Sequence, residues 1–114
     1  MNCSAVMTYV VASCCILAMA GCSRERADKA TPELLMRGRE LFSYYCAGCH
    51  PDGENRVYPQ KTLHRMELKA NGITTPAGIV AIMRNPGRKM KQFDRKTIPD
   101  TDAYAIAHYI LATF

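Results

Sequence analysis

These 114 residues are enough for one domain, but one with a thin core if protein alone had to supply it. Its formal net charge is +5, and all 15 basic and all 10 acidic residues follow Cys22, so the charged surface belongs to the later part of the chain. Six cysteines would suit a small disulfide scaffold, but Cys3, Cys14 and Cys15 lie within the first 21 residues, which form the presumed signal.

The first predicted element is an export signal. Residues 5–20 are nearly all apolar, a run that is long for a signal core and short for a membrane-spanning helix. It ends at Met19-Ala20-Gly21-Cys22, which resembles the bacterial lipoprotein box, although leucine is usual at Met19 and no Lys or Arg precedes the run. We expect residues 1–21 to be a lipoprotein signal peptide and Cys22 to carry lipid. An uncleaved anchor and ordinary secretory cleavage near Ala20 are the alternatives, and all three export the chain.

A charged segment without apolar periodicity follows, and it predicts a solvated tether over residues 22–30. Lipid on Cys22 would hold the rest of the chain on the cell envelope, facing the periplasm. In two-membraned bacteria, aspartate directly after the lipidated cysteine is the usual retention signal. Ser23 stands at that position here, which resembles the pattern of lipoproteins sorted to the outer membrane. The folded domain is expected over residues 31–114.

The domain begins with a predicted helix. Thr31 is expected to be its N-cap, Pro32 its first residue and Glu33 a favourable charge at its positive end. One face carries the apolar positions together with a glycine: Leu34, Gly38, Leu41, Phe42 and Tyr45. Because glycine is costly inside a helix, Gly38 predicts close approach by another backbone.

The helix runs into Cys46-Ala47-Gly48-Cys49-His50, the attachment pattern for a c-type haem. In this pattern two cysteines form thioethers to one porphyrin, and the histidine that follows ligates the iron. A thioredoxin-like pair would sit where a strand feeds a helix, and none is predicted here. A zinc site would need two further ligands, yet His64 and His108 are far apart in the sequence. A bound porphyrin would also fill the thin core of so short a domain.

The remaining pattern is helical. Residues 51–60 are rich in turn formers, a short helix is expected from Thr62 or Leu63 to Asn71, and Thr75-Pro76 starts a third helix that ends before Pro86. The last helix is expected from Asp100 or Thr101 to the terminus, with a buried face of Ala103, Ile106, Ala107 and Ile110. No alternating strand pattern is present, so the predicted fold class is all-α.

A six-coordinate haem needs a second axial ligand, for which Met90 is the best candidate. It lies in a non-helical stretch after Pro86-Gly87, where the backbone can carry a thioether to the iron. Methionines on helices are more simply core residues, and these are Met36, Met66 and Met83. His108 falls off the buried stripe and is expected to be exposed, whereas His64 is expected to cap a helix or face solvent.

On these residues the chain resembles the class I monohaem cytochromes c of the small bacterial and photosynthetic kind, over residues 31–114. The matching positions are Gly38 and Phe42, residues 46–50, Asn55, Pro59, residues 61–63, residues 83–87, Met90, Phe93, residues 98–100 and residues 105–110. The resemblance implies about four short helices around one covalently bound haem. It also implies that Gly38 and Phe42 pack across the last helix near Tyr109, that Met90 is the distal ligand and that the Pro59 carbonyl accepts the His50 ring N–H. Lys91 is a departure, because many relatives have proline there.

Basic residues are concentrated near Met90. Six cations lie in residues 84–96 against Asp94 alone. Such a run can be a solvated loop, or it can steer an acidic redox partner to the haem edge. The expected docking residues are Arg88, Lys89, Lys91 and Lys96. Nucleic acid is not an expected partner of an exported haem protein.

Three functions fit the sequence. The first is a one-electron carrier with His/Met ligation and no enzymatic activity, working in a respiratory or photosynthetic chain. The second is a haem enzyme or gas sensor with an open distal site. The third is the haem subunit of a larger membrane oxidoreductase. Carbon monoxide binding to the reduced protein separates the first two.

Overall fold

The computed structural model describes residues 29–114. The expected signal peptide and lipidated Cys22 therefore lie outside the described residues, as does most of the tether. Residues 29–114 contain four α-helices, with one 3₁₀ turn at Pro51–Gly53 between the first two. The helices are α1 (Pro32–Tyr45), α2 (Arg65–Ala70), α3 (Pro76–Arg84) and α4 (Asp100–Thr113). The described part of the chain contains no strand, so the predicted all-α class is confirmed.

Two of the helices start as their sequences predict. The Thr31 hydroxyl accepts a hydrogen bond from the Leu34 amide (3.2 Å) at the start of α1, and Thr75 does the same for Gly78 (3.1 Å) at the start of α3. Proline occupies the first helical position in both cases, where its missing N–H leaves no intrahelical bond unmade. These caps fix where the two helices enter the domain.

Helix α2 is shorter than expected, because it begins at Arg65 rather than at Thr62 or Leu63. The backbone of His64 is extended (φ −65°, ψ 143°), and the Leu63 amide donates to the Gly53 carbonyl (2.7 Å) instead of entering a helix. This tertiary bond between two loops overrides the local helical pattern.

The crossing of α1 and α4 is the main packing contact of the fold. A Cβ on Gly38 would lie 2.7 Å from Tyr109 Cβ and would overlap the Ala105 carbonyl group, so the two backbones approach too closely for a larger residue. Beside this contact, the Phe42 ring packs on Tyr109 with centroids 5.4 Å apart. The expected roles of Gly38 and Phe42 in packing are therefore confirmed.

Helix α4 is more deeply buried than its sequence suggests, because it packs on both α1 and α3. Its expected face is buried, with Ala103, Ile106 and Ala107 fully covered. Ala105 and His108 are buried as well. The prediction that His108 is exposed was wrong, since a helix contacted from two sides buries a wider face than one apolar stripe.

No helix in residues 29–114 combines the length and the apolar character needed to cross a membrane.

Candidate cofactor site

Two adjoining cavities open beside the Cys46–His50 turn, with volumes of about 550 Å³ and about 470 Å³. Volumes of this size are typical of cofactor and small-molecule sites. Six residues line both cavities, which makes them parts of one site: Cys46, His50, Asn55, Tyr58, Arg88 and Met90. The larger cavity has an apolar wall that includes Leu68, Ile79 and Ile82.

The two cysteines are placed by the end of α1. The Cys46 amide donates to the Phe42 carbonyl (2.8 Å), and the next turn is closed by bonds from the Cys49 and His50 amides to the Cys46 carbonyl (3.1 and 2.8 Å). Cys46 is half-buried and Cys49 is exposed, and both thiols are free. One tight turn therefore presents both thiols and the imidazole to the cavities.

The state of the Cys46 thiol argues against a thioredoxin-like pair. Burial raises the pKa of Cys46 to about 12, with a smaller contribution from the neighbouring Cys49. Redox-active cysteines need the opposite shift, because the thiolate is the nucleophile. The buried Cys46 thiol therefore lacks the lowered pKa of a disulfide-exchange cysteine.

His50 is oriented by a backbone carbonyl. Its Nδ1 lies 3.0 Å from the Glu54 carbonyl oxygen, and because a carbonyl can only accept, Nδ1 carries the proton and Nε2 is left to bind a metal. The expected acceptor was the Pro59 carbonyl. That expectation was wrong, since the tight turn after His50 brings Glu54, four residues on, back against the ring.

The imidazole is also held in the form that ligates metals. Burial lowers the pKa of His50, while the bond to the Glu54 carbonyl opposes this shift more weakly. The neutral ring is therefore favoured, as a metal ligand requires.

Met90 is the candidate for the second axial position, and it is half-buried and lines both cavities. Met83 lines only the larger cavity and is 4% exposed within the core. Met36 and Met66, expected as core residues, are 66% and 78% exposed, so that expectation was wrong. Both project from helix faces that no other element covers, away from the cavities.

The other two histidines lie elsewhere. His64 occupies the N-cap position of α2, but its side chain makes no capping bond, and its Nε2 lies 2.9 Å from a Glu54 carboxylate oxygen. His108 lines a separate cavity near the starts of α1, α3 and α4. Within residues 29–114, no group of three or more His, Cys, Asp or Glu side chains could hold a metal ion, so a zinc site has no support there.

Comparison with known proteins identifies the family of this chain. Residues 33–110 match the family profile described as cytochrome c oxidase, cbb3-type, subunit III. Cytochrome c6 of Cyanidioschyzon merolae is 38% identical over 78 residues, covering 68% of this chain and 73% of that protein. Cytochrome c6 of Cyanidium caldarium is 36% identical over 78 residues, covering 68% of this chain and 70% of that protein.

The chain belongs to the cytochrome c family. Its structure is also similar to that of OmcF, outer membrane cytochrome F from Geobacter sulfurreducens, with a TM-score of 0.66 and 49% identity over 68% of this chain and 98% of that one. The class I monohaem cytochrome c fold suggested by the sequence is thereby confirmed.

As a cytochrome c, the protein is a small electron carrier with one covalent c-type haem. The residues present fit that group. Cys46 and His50 line both cavities and Cys49 lines the smaller one, while the larger cavity has an apolar wall. Redox proteins are its partners.

The sequence analysis assigned no role to two residues of the site, Tyr58 and Asn55. Tyr58 lines both cavities, and its ring lies beneath two lysine ammonium groups, Lys61 Nζ at 5.6 Å and Lys89 Nζ at 5.3 Å from its centroid. Asn55 was noted only as a matching position, yet its Oδ1 accepts from the Val57 and Tyr58 amides (2.9 and 2.8 Å) and fixes this loop. An asparagine before a proline-containing loop was the available signal.

The basic run divides into two groups in the structure. Arg84 and Arg95 both donate to the Asp100 carboxylate (2.8 and 2.9 Å), which places an extra negative charge beside the run. The expected docking residues are the other four cations. Arg88, Lys89 and Lys91 line the smaller cavity, while Lys96 lines neither cavity.

Proposed function

We propose that this cytochrome c is an exported one-electron carrier of the cell envelope, with His50 and Met90 as the axial ligands of its haem iron. The supporting observation is that His50, Met90 and Cys46 face the same two adjoining cavities. The haem supplies a reversible one-electron couple at its iron.

Each residue of the site has a distinct role. Cys46 and Cys49 would hold a porphyrin as thioethers at the end of α1. His50 would coordinate the iron through Nε2, because its bond to the Glu54 carbonyl sets both the tautomer and the orientation of the ring. Met90 supplies a thioether, a ligand that raises the reduction potential relative to a second histidine.

A protein with both axial positions filled has no place on the iron for a substrate. The apolar wall of the larger cavity would keep water from the porphyrin and favour electron transfer over ligand chemistry. We therefore propose that the protein is a carrier and not an enzyme or gas sensor.

Carbon monoxide tests this directly on the haem-loaded wild-type protein after reduction. Stopped-flow absorbance should show slow binding, because Met90 must leave the iron before the gas can enter. Binding at the rate of an open five-coordinate haem would contradict the proposal and favour a sensor or an enzyme.

The partner is proposed to be a redox protein with an acidic docking surface. Arg88, Lys89 and Lys91 surround the smaller cavity, and Lys96 adds to the same field. Unit charges act over about 8 Å at physiological salt, so these cations can bias the encounter without tightening the complex.

The matched pair Lys91→Glu and Lys69→Glu tests this surface, because both lysines are exposed and Lys69 lies on α2 away from both cavities. Lys91→Glu should slow second-order reduction by an acidic donor at low salt, and added salt should abolish the difference. Equal rates for the two variants would show that the basic run is only a solvated loop.

Cys22 is proposed to carry a lipid after removal of residues 1–21, with residues 22–30 as tether and residues 31–114 as the haem domain. The sequence at Met19–Cys22 supports this, as does the structural similarity to OmcF, an outer membrane cytochrome. Membrane fractionation of wild-type and Cys22→Ser protein tests it. The wild type should sediment with membranes and the variant should not, whereas equal sedimentation would contradict lipidation at Cys22.

A second candidate is a haem subunit of a larger membrane oxidoreductase, because the matching family profile is described as an oxidase subunit. Size-exclusion chromatography of detergent-solubilised membranes separates the two. A free carrier elutes near its own mass, whereas a subunit elutes with an enzyme.

A further inference from the structure

Arg84, the last residue of α3, forms hydrogen bonds to the segment that carries Met90. Its Nη1 donates to the carbonyl oxygens of Phe93 (2.9 Å) and Asp94 (3.1 Å), and its Nη2 donates to Asp100 Oδ1 at the start of α4 (2.8 Å). One guanidinium therefore connects the end of α3, the downstream half of the Met90 segment (residues 85–99) and the start of α4.

The Met90 segment has no regular helix or strand to fix its path. Immediately before Met90, Lys89 has a φ of +70°, in the left-handed region that is uncommon for residues other than glycine and costs conformational energy. After Met90, Gln92 Nε2 donates to the Arg84 carbonyl (2.7 Å), and Phe93 is buried at 6% exposure. Lys89 and Phe93 therefore lie on either side of Met90 in the chain, and a displacement of either residue would move the Met90 thioether.

The contacts require the shape of arginine. Two adjacent carbonyls and a carboxylate are bound by different N–H groups of one planar fork, which the single ammonium of a lysine cannot reproduce. The Arg84 side chain is only 14% exposed, and its buried Nε has no partner among the described residues. A buried donor without a partner is unfavourable for stability, so the three bonds that the rest of the guanidinium makes must offset its cost.

We propose that Arg84 is a positioning residue for the distal ligand: its guanidinium fixes the path of the Met90 segment, so that the Met90 thioether stays at the cavity. This rests on the proposed function, because it takes Met90 as an axial ligand. Arg84 itself lines neither cavity, so it acts through the segment and not on the haem.

The test compares haem-loaded full-length wild type with Arg84→Gln, Arg84→Lys and Arg95→Gln. Arg95→Gln is the matched control, because Arg95 binds the same Asp100 carboxylate but is 73% exposed and makes no hydrogen bond to the Phe93 or Asp94 carbonyl. Two measurements report on the iron: the weak thioether-to-iron absorbance band of the ferric protein and the rate of carbon monoxide binding to the ferrous protein. The third is hydrogen exchange of the Phe93 amide, which donates to the Met83 carbonyl (3.0 Å) and so reports on the Met90 segment itself.

Loss of charge-assisted bonds of this kind shifts an equilibrium by about tenfold or more. Arg84→Gln should therefore weaken the thioether band, bind carbon monoxide about tenfold faster and exchange the Phe93 amide faster. Arg84→Lys should fall between Arg84→Gln and wild type, and Arg95→Gln should match wild type.

The outcomes separate the two proposals. A wild type without the thioether band overturns both. A wild type with the band, together with an Arg84→Gln protein whose band and carbon monoxide rate are unchanged, overturns only the role of Arg84. If Arg84→Gln does not fold, Arg84→Lys decides, and wild-type behaviour of that variant overturns the proposal.

Discussion

Replacing Gly38 by alanine probes the contact on which the fold depends. The new Cβ would lie 2.7 Å from Tyr109 Cβ and 2.8 Å from the Ala105 carbonyl carbon. The backbone of α4 cannot rotate away as a side chain could, so α1 and α4 must separate. Overpacking of this kind costs up to about 3 kcal/mol, and alanine recovers about 1 kcal/mol through its higher helix propensity. We therefore expect a net loss of about 2 kcal/mol.

Thermal and denaturant unfolding of the haem-loaded protein, followed by far-UV circular dichroism, measures this loss. For a domain of this size, about 2 kcal/mol lowers the Tm by about 8–16 °C. Gly78→Ala in α3 is the matched control. Its Cβ would meet no atom closer than 3.5 Å, so only the propensity gain of about 1 kcal/mol applies and the Tm should hold or rise. A Gly38→Ala protein as stable as wild type would refute the close approach of the two helices.

Three further changes test other parts of the structure. Changing Cys46 and Cys49 to alanine should prevent haem attachment and leave little stable helix by circular dichroism, because so small a domain relies on its cofactor to fill the core; a cooperative native-like melt would contradict this. Phe114→Ala should cost about 2 kcal/mol in denaturant unfolding, because the ring packs on Phe42 with centroids 5.3 Å apart but is only half-buried; no loss would show that the C-terminal ring is dispensable. Hydrogen bonds from two arginines lower the pKa of Asp100, so its contribution to stability is present above the unfolded pKa of about 3.9 and is lost as the pH falls through the lower folded value. Asp100→Asn should therefore be less stable than wild type near pH 7, with a difference that shrinks below about pH 4, and a constant difference would argue against the ion pairs.

The sequence was informative wherever a local signal existed. The Thr-Pro starts at Thr31 and Thr75 predicted two helix boundaries, because capping depends on neighbouring residues alone. Gly38 predicted a helix crossing, because a glycine inside a helix lowers the stability of the helix unless closer packing offsets the loss. The CxxCH pattern predicted the haem, because its spacing is set by the porphyrin itself.

The errors lie where distant residues decide the outcome. The acceptor of the His50 ring depends on how the following turn closes, and the structure places the Glu54 carbonyl there. The burial of His108 depends on a second helix packing against α4. The contacts of Arg84 were not predicted at all. They bring Phe93, Asp94 and Asp100, which lie 9, 10 and 16 positions further along the chain, to one side chain, and no local periodicity encodes such contacts.

The measurement that tests the central claim most directly is the ferric absorbance spectrum of Met90→Ala beside that of Met83→Ala. Both methionines line the larger cavity, and Met83 serves as the matched control because it is buried in the core. If His50 and Met90 are the axial ligands, Met90→Ala should lose the thioether band and bind carbon monoxide rapidly once reduced. Met83→Ala should keep the band and lose about 2–5 kcal/mol of stability. A band that survives in Met90→Ala and disappears in Met83→Ala would contradict the assignment of the distal ligand.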